Sequence, residues 1–233
     1  GKVLSRVIQK ERNGDYLGKT VQVVPHVTDM IIDSICESAL NCNSEVHFVE
    51  IGGTIGDYES LSFYEAIRQM KNIFGKDNCL YLHLVYVPYL TTSMELKTKP
   101  AQSSVRELRQ LGITLDILAV RSEFEIGSSI KHKLSLTCDI DSSAVFSLPT
   151  MDSIYQVPII LESQKATSVV LSKLKLKNKR SNLKKWKELV DNILKTKKVV
   201  RIGLVAKYLG NSDTYASLTE AIMHAAWSCN AEA

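Results

Sequence analysis

Short apolar runs rich in β-branched residues alternate along this chain with stretches of helical periodicity. That alternation constrains the fold more than any single motif. Residues 79–87 (CLYLHLVYV) read as a buried strand, and residues 20–24 (TVQVV), 45–51 (EVHFVEI), 117–121 and 145–148 as further strands. Between them, apolar residues at helical spacing predict helices over 28–36, 62–74, 103–111 and 129–138. Thr28 is placed to cap the first, with Asp29 in its first turn, and Gly75 and Gly112 stop the second and third. Strand alternating with helix implies an α/β fold, a parallel sheet with helices on both faces. In such sheets ligands bind outside the carboxyl ends of the strands, so the loops after strands are where chemistry is expected.

Beyond about residue 161 the pattern turns helical and basic, and a fresh strand (199–206) and helix (213–227) follow. One βα unit cannot stand alone. The expected division is therefore a first domain over 1–172, a basic linker over 173–198, and the start of a second α/β domain over 199–233. The overall charge of +4 hides this asymmetry: residues 173–201 hold twelve Lys/Arg against Glu188 and Asp191, a balance of +10 that leaves −6 elsewhere. With Trp186 as its one aromatic residue and no nucleic-acid motif, the stripe reads as a solvated helix and linker rather than a nucleic-acid surface.

A chain of 233 residues buries enough surface, roughly 70% of what it exposes unfolded, to need no disulfide or metal staple. Its five cysteines are odd in number and form no CxxC pair, which fits reduced thiols and a cytoplasmic location. No apolar run approaches the ~20 residues of a membrane span, and the first sixteen residues lack a signal-peptide core. The chain does not begin with Met, so a processed chain or a piece of a longer one is expected.

Three segments carry candidate chemistry. Gly14 to Thr20 (GDYLGKT) imitates a phosphate-binding P-loop, but three residues separate its glycines where that loop needs four, and it follows a charged helix-like stretch. Glu50 closes an apolar run and is followed by Gly52, Gly53, Gly56, Asp57 and Glu59. Carboxylates in a glycine-rich turn suit a metal–nucleotide loop, and equally a tight turn with solvated acids. Residues 97–102 (KTKPAQ) join a strand to a helix that Pro100 and Ala101 can open. Lys97, Lys99 and the free N–H groups of that helix suit a polyphosphate, and a solvated surface loop fits as well. Lys131 and Lys133 lie in a later helix and either join this cluster or face water. The histidines are scattered singly and Cys229 lacks the glycines of a nucleophile elbow, so no nucleophile–base pair emerges.

The strings KERNGDYLG (10–18), TVQVVPH (20–26), EIGGTIGDYES (50–60), EAIRQM (65–70), KTKPAQ (97–102), DSIY (152–155) and GLVAKY (203–208) together resemble the CTP synthase family, in family order across nearly the whole chain. The resemblance implies a P-loop-type α/β domain similar to dethiobiotin synthetase, linked to a glutamine amidotransferase domain. It implies ATP- and Mg²⁺-dependent amination of UTP to CTP with ammonia from glutamine, GTP as activator, and a homotetramer whose UTP site lies between subunits. Carried over by position, Glu50 matches a Mg²⁺ ligand. Asp57, Tyr58 and Glu59 match a loop that contacts UTP or CTP. Lys97, Thr98, Lys99, Pro100, Ala101 and Gln102 match the segment that holds UTP, with Lys97 and Glu50 closest to the chemistry, and Lys133 a further nucleotide contact. Met151 falls in the segment near the ATP base. Asp15, Leu17 and Gly18 fall in the loop linked to GTP. Glu50 and the lysines are thereby expected to converge on one metal–triphosphate ligand.

The chain departs from the family pattern where Tyr58 stands for Ile, Ala101 for Thr, and Pro149-Thr150-Met151 for Lys-Asp-Val; Asn13 occupies a place that is often basic. One lost hydroxyl removes a hydrogen bond of roughly 0.5–1.5 kcal/mol. The family's P-loop and a second Mg²⁺-binding Asp would precede residue 1, and the amidotransferase Cys, His and Glu would follow residue 233. The expectation is that this segment alone makes no CTP. The alternatives are a non-catalytic nucleotide-binding or assembly module of the same descent, and a basic nucleic-acid-binding protein.

Overall fold

The computed structural model describes residues 1–177, 181–195, 198–208 and 210–233. They form two compact units: residues 1–150 with 165–177, and residues 151–164 with 181–195, 198–208 and 210–233. Residues 178–180 and 196–197, which the expected basic linker includes, lie outside the described residues.

The first unit is built on a three-stranded parallel sheet, β1 (Leu82–Tyr86), β4 (Ile117–Ser122) and β5 (Val145–Pro149), in the order β1-β4-β5. Central β4 is an apolar run without alternation because both its faces are covered: Ile117, Leu118 and Val120 are fully buried and Ala119 nearly so. Each large aliphatic side chain so buried contributes about 1.5–3 kcal/mol. Around the sheet stand α1 (Lys2–Arg12), α2 (Thr28–Asn41), α3 (Leu61–Phe74), α4 (Lys99–Gln110), α5 (Ser128–Cys138) and the short α7 (Ala166–Lys173). The α/β reading holds. A two-stranded antiparallel hairpin, β2 (Tyr89–Leu90) with β3 (Glu95–Leu96), leads from the sheet into α4. The entry to the sheet is pinned by Asp116, whose carboxylate accepts from Lys71 Nζ of α3 and from the Tyr81 N–H, both at 2.9 Å.

Two expected strands are absent. Residues 20–24 run into a tight turn over Val23–Val27, and residues 45–51 form no ladder and are exposed apart from half-buried Ile51. Composition alone does not make a strand. It needs a neighbour to satisfy its N–H and C=O groups, and among the described residues neither segment has one. Thr28 also does not cap α2. Its hydroxyl is fully buried and donates to the Pro25 carbonyl at 2.9 Å. Helix α4 begins four residues earlier than expected, opened by Pro100 in its first turn, where a missing N–H is harmless.

In the second unit, α6 (Val157–Ser163), α8 (Lys184–Leu194) and α9 (Ala216–Ser228) surround an aromatic cluster. Tyr155 lies 5.4 Å from Trp227 and 6.0 Å from Trp186, ring centre to centre. The Trp186 indole N–H donates to the Tyr155 carbonyl at 2.7 Å. The strand expected at 199–206 shrinks to β6 (Lys198–Val199), paired in parallel with β7 (Ala231–Glu232). No helix among the described residues is long and apolar enough to cross a membrane.

Candidate functional site

The loop after Glu50 is organised by its own side chains. Asp57 accepts the Thr54 N–H on Oδ2 at 2.8 Å and returns its own N–H to the Thr54 carbonyl at 3.1 Å. Ser60, buried, donates its hydroxyl to the Gly52 carbonyl at 3.2 Å and its N–H to the Asp57 carbonyl at 3.0 Å. Two glycines are required here. Gly53 has φ +90, and a Cβ there would stand 2.9 Å from Asp57 Oδ2. Gly56 has φ +95, and a Cβ there would collide with the carboxylate of Glu107, which reaches over from α4. Ile55 anchors the turn in the core, while Tyr58 and Glu59 project into solvent, Tyr58 at 89% exposure. Below them, burial and then the charges of Asp57 and Glu107 push the Tyr64 hydroxyl above its usual pKa. Asp57 thus shapes the turn that presents its two neighbours.

Glu50 lines a groove of about 320 Å³ whose walls include Val3 of α1, Ile31 and Ile35 of α2, and Phe63 and Ile67 of α3. No set of three or more metal-ligating side chains gathers among the described residues. Glu50 is exposed and offers one carboxylate. That fits Mg²⁺, which is commonly held by one or two carboxylates with water and substrate phosphates completing its shell.

The second candidate segment starts at the hairpin. The Lys97 N–H donates to the Pro88 carbonyl at 2.9 Å, fixing the turn into α4. The Lys97 ammonium pairs with the Glu95 carboxylate, both side chains about half exposed. Glu95 sits below the usual carboxylate pKa, chiefly through the Lys97 hydrogen bond, then one from Ser93, with the charges of Lys97 and Lys133 adding to it. The hairpin therefore sets the Lys97 ammonium against a carboxylate just ahead of α4. Thr98 is buried and its hydroxyl accepts from Gln102 Nε2 at 3.1 Å. Ala101 is buried at 1% exposure against the core, while Lys99 and Pro100 are exposed. The helix is tied to the sheet where His83 Nε2 of β1 meets Ser104 Oγ at 2.7 Å, and burial pushes the His83 pKa down. Glu50 and Lys97 share no hydrogen bond or ion pair among the described residues.

At the carboxyl end of β4, Arg121 donates to the Leu148 carbonyl at 3.3 Å and to Thr150 Oγ1 at 3.0 Å. Glu123 accepts from the Tyr86 hydroxyl and, at 3.1 Å, from the Tyr89 N–H. Met151, half-buried, belongs to the second unit. The P-loop look-alike is a chain of turns after α1. Asp15 donates its N–H to the Lys10 carbonyl and Leu17 to the Gly14 carbonyl, and Gly18 has φ +77. Leu17, at φ 54, is 87% exposed.

Sequence reasoning missed Glu95, Glu107, Arg121 and Glu123. Glu95 had a signal: residues two apart in a strand face one side, so an acid two places before Lys97 is poised to pair with it. Glu107 had none, since its contact with Gly56 joins segments fifty residues apart.

The family model described as CTP synthase N-terminus matches residues 1–176. A CTP synthase of Listeria monocytogenes is 46% identical over 232 residues, covering 100% of this chain and 44% of that protein. One of Bacillus cytotoxicus is 46% identical over 227 residues, covering 97% of this chain and 42% of that protein. One of Bacillus licheniformis is 45% identical over 232 residues, covering 100% and 43%. The chain thus spans less than half the length of the curated relatives it matches. Identity at this level over its whole length, on an α/β fold, shows that the chain belongs to the CTP synthase family and corresponds to its N-terminal region.

Proposed function

We propose that this chain supplies the acceptor-nucleotide site of a glutamine-dependent ligase that aminates UTP to CTP in pyrimidine biosynthesis. The observation that carries the reading is the Lys97 ammonium, held on the Glu95 carboxylate two residues before α4 begins. An ammonium group beside a helix N-terminus suits a triphosphate. In this reading Lys97, Lys99 and Lys133 hold phosphate oxygens, and Thr98, Pro100, Ala101 and Gln102 shape the helix start beneath them. The turn built by Asp57 presents Tyr58 and Glu59 to the nucleoside. Glu50 gives one oxygen to a Mg²⁺ ion, which supplies charge neutralisation of the phosphates. ATP approaches near Met151, and GTP acts through the turns carrying Asp15, Leu17 and Gly18. The site is completed between subunits of a cytoplasmic homotetramer, and glutamine is hydrolysed in a domain of which residues 199–233 are the beginning. The proposed division is 1–172, 173–198 and 199–233.

Two measurements test this. Calorimetric titration with CTP should show binding that Lys97→Ala weakens at least tenfold; unchanged affinity rejects the site. Incubation with ATP, UTP, Mg²⁺ and ammonia should yield no CTP from this chain alone, and detectable CTP refutes that part of the reading.

A further inference from the structure

We propose that Glu95 is a built-in counter-anion that a polyphosphate displaces in order to engage Lys97 and Lys133, and that this exchange makes the site selective for highly charged anions. The inference rests on reading those lysines as phosphate-binding. In the β2–β3 hairpin Leu90 faces Glu95 across the ladder, and Lys97 follows β3 directly, its N–H bonded to the Pro88 carbonyl at 2.9 Å. The Glu95 carboxylate accepts from the Lys97 ammonium. Ser93 donates to it as well, and the charge of Lys133 on α5 also falls on it. In shape this is an anion site already holding an anion, one tethered to the chain.

The pair is exposed at 42% for Lys97 and 53% for Glu95. Solvated pairs of this kind are weakly held and readily exchanged. The tether gives Glu95 an advantage over any free anion of similar charge, because its effective concentration is high. A triphosphate overcomes that advantage by reaching both lysines at once with several charges. A monoanion does not. Exchange needs only rotation of the Glu95 side chain, since Ser93 and Met94 beside it at the hairpin tip are themselves exposed.

The test is calorimetric titration of the full chain at low salt with inorganic tripolyphosphate and with orthophosphate, for wild type, Glu95→Gln, Glu95→Ala and Lys97→Ala. Both Glu95 variants should bind tripolyphosphate about three- to tenfold tighter, and their discrimination against orthophosphate should shrink. The gain should fade as salt rises. Unchanged or weaker binding in both variants overturns the proposal, because Glu95 would then serve only to orient Lys97. Wild-type affinity in Lys97→Ala, or no binding by any form, overturns instead the reading of the site, and the inference with it.

Discussion

Replacing Gly56 by Ala tests how the candidate loop is built. At φ +95 an L side chain is strained, at about 1–3 kcal/mol for a residue forced into sparsely populated backbone space. A second penalty comes from Glu107, whose carboxylate carbon lies 2.9 Å from where the new Cβ would stand. That carboxylate ends a flexible side chain and can swing away, so its share is smaller, about 0.5–1 kcal/mol of coupling. Urea unfolding of Gly56→Ala, Glu107→Ala and the double variant separates the two. The single glycine variant should lose roughly 1.5–4 kcal/mol. In the Glu107→Ala background the loss should fall by the coupling but not vanish, because the backbone strain remains. A loss below about 0.5 kcal/mol would show that φ at Gly56 is not what the structure gives. An equal loss in both backgrounds would show that Glu107 does not pack against it.

Three further outcomes are expected. Leu118→Ala, at a fully buried position in the central strand, should destabilise the first unit by about 2–5 kcal/mol in chemical denaturation; a loss under 1 kcal/mol would mean β4 is not the core strand. Glu65 is held at a pKa of about 2, first by the Arg68 hydrogen bond and then by that of Gln69. Its carboxylate therefore contributes stability that is present above the ordinary value of 4.5 and is lost as pH falls from there toward 2. NMR titration should show this carboxyl still ionised at pH 3, and Arg68→Ala should move its midpoint upward; a wild-type midpoint near 4.5 would contradict the pair, in which Arg68 Nε and Nη2 donate to the two Glu65 oxygens at 2.9 and 2.6 Å. Among the cysteines, exposed Cys42 and Cys229 should alkylate first. Cys79 and Cys138 should lag because burial raises both thiols; mass spectrometry after brief iodoacetamide treatment reads the order.

The sheet and its helices were legible where burial is two-sided or strongly periodic. Residues 117–121 and 145–148 are strands because apolar runs covered on both faces cannot be solvated, and 62–74 is a helix because its apolar residues recur on one face up to Gly75. Residues 45–51 misled because apolar and β-branched composition records a tendency to be covered, whereas a strand also needs a ladder neighbour, which pattern does not supply. At the candidate site, the glycine-rich turn and the lysines before α4 could be read from spacing. That Asp57 is spent on the Thr54 N–H could not, nor that Ala101 faces the core. Those depend on side-chain direction in three dimensions.

The most direct measurement is a crystal structure of the chain, in its native assembly, with CTP bound. The account predicts the triphosphate within hydrogen-bonding distance of Lys97 Nζ and Lys133 Nζ, with the Glu95 carboxylate turned away. Phosphates bound elsewhere, with the Lys97–Glu95 pair intact, would contradict it.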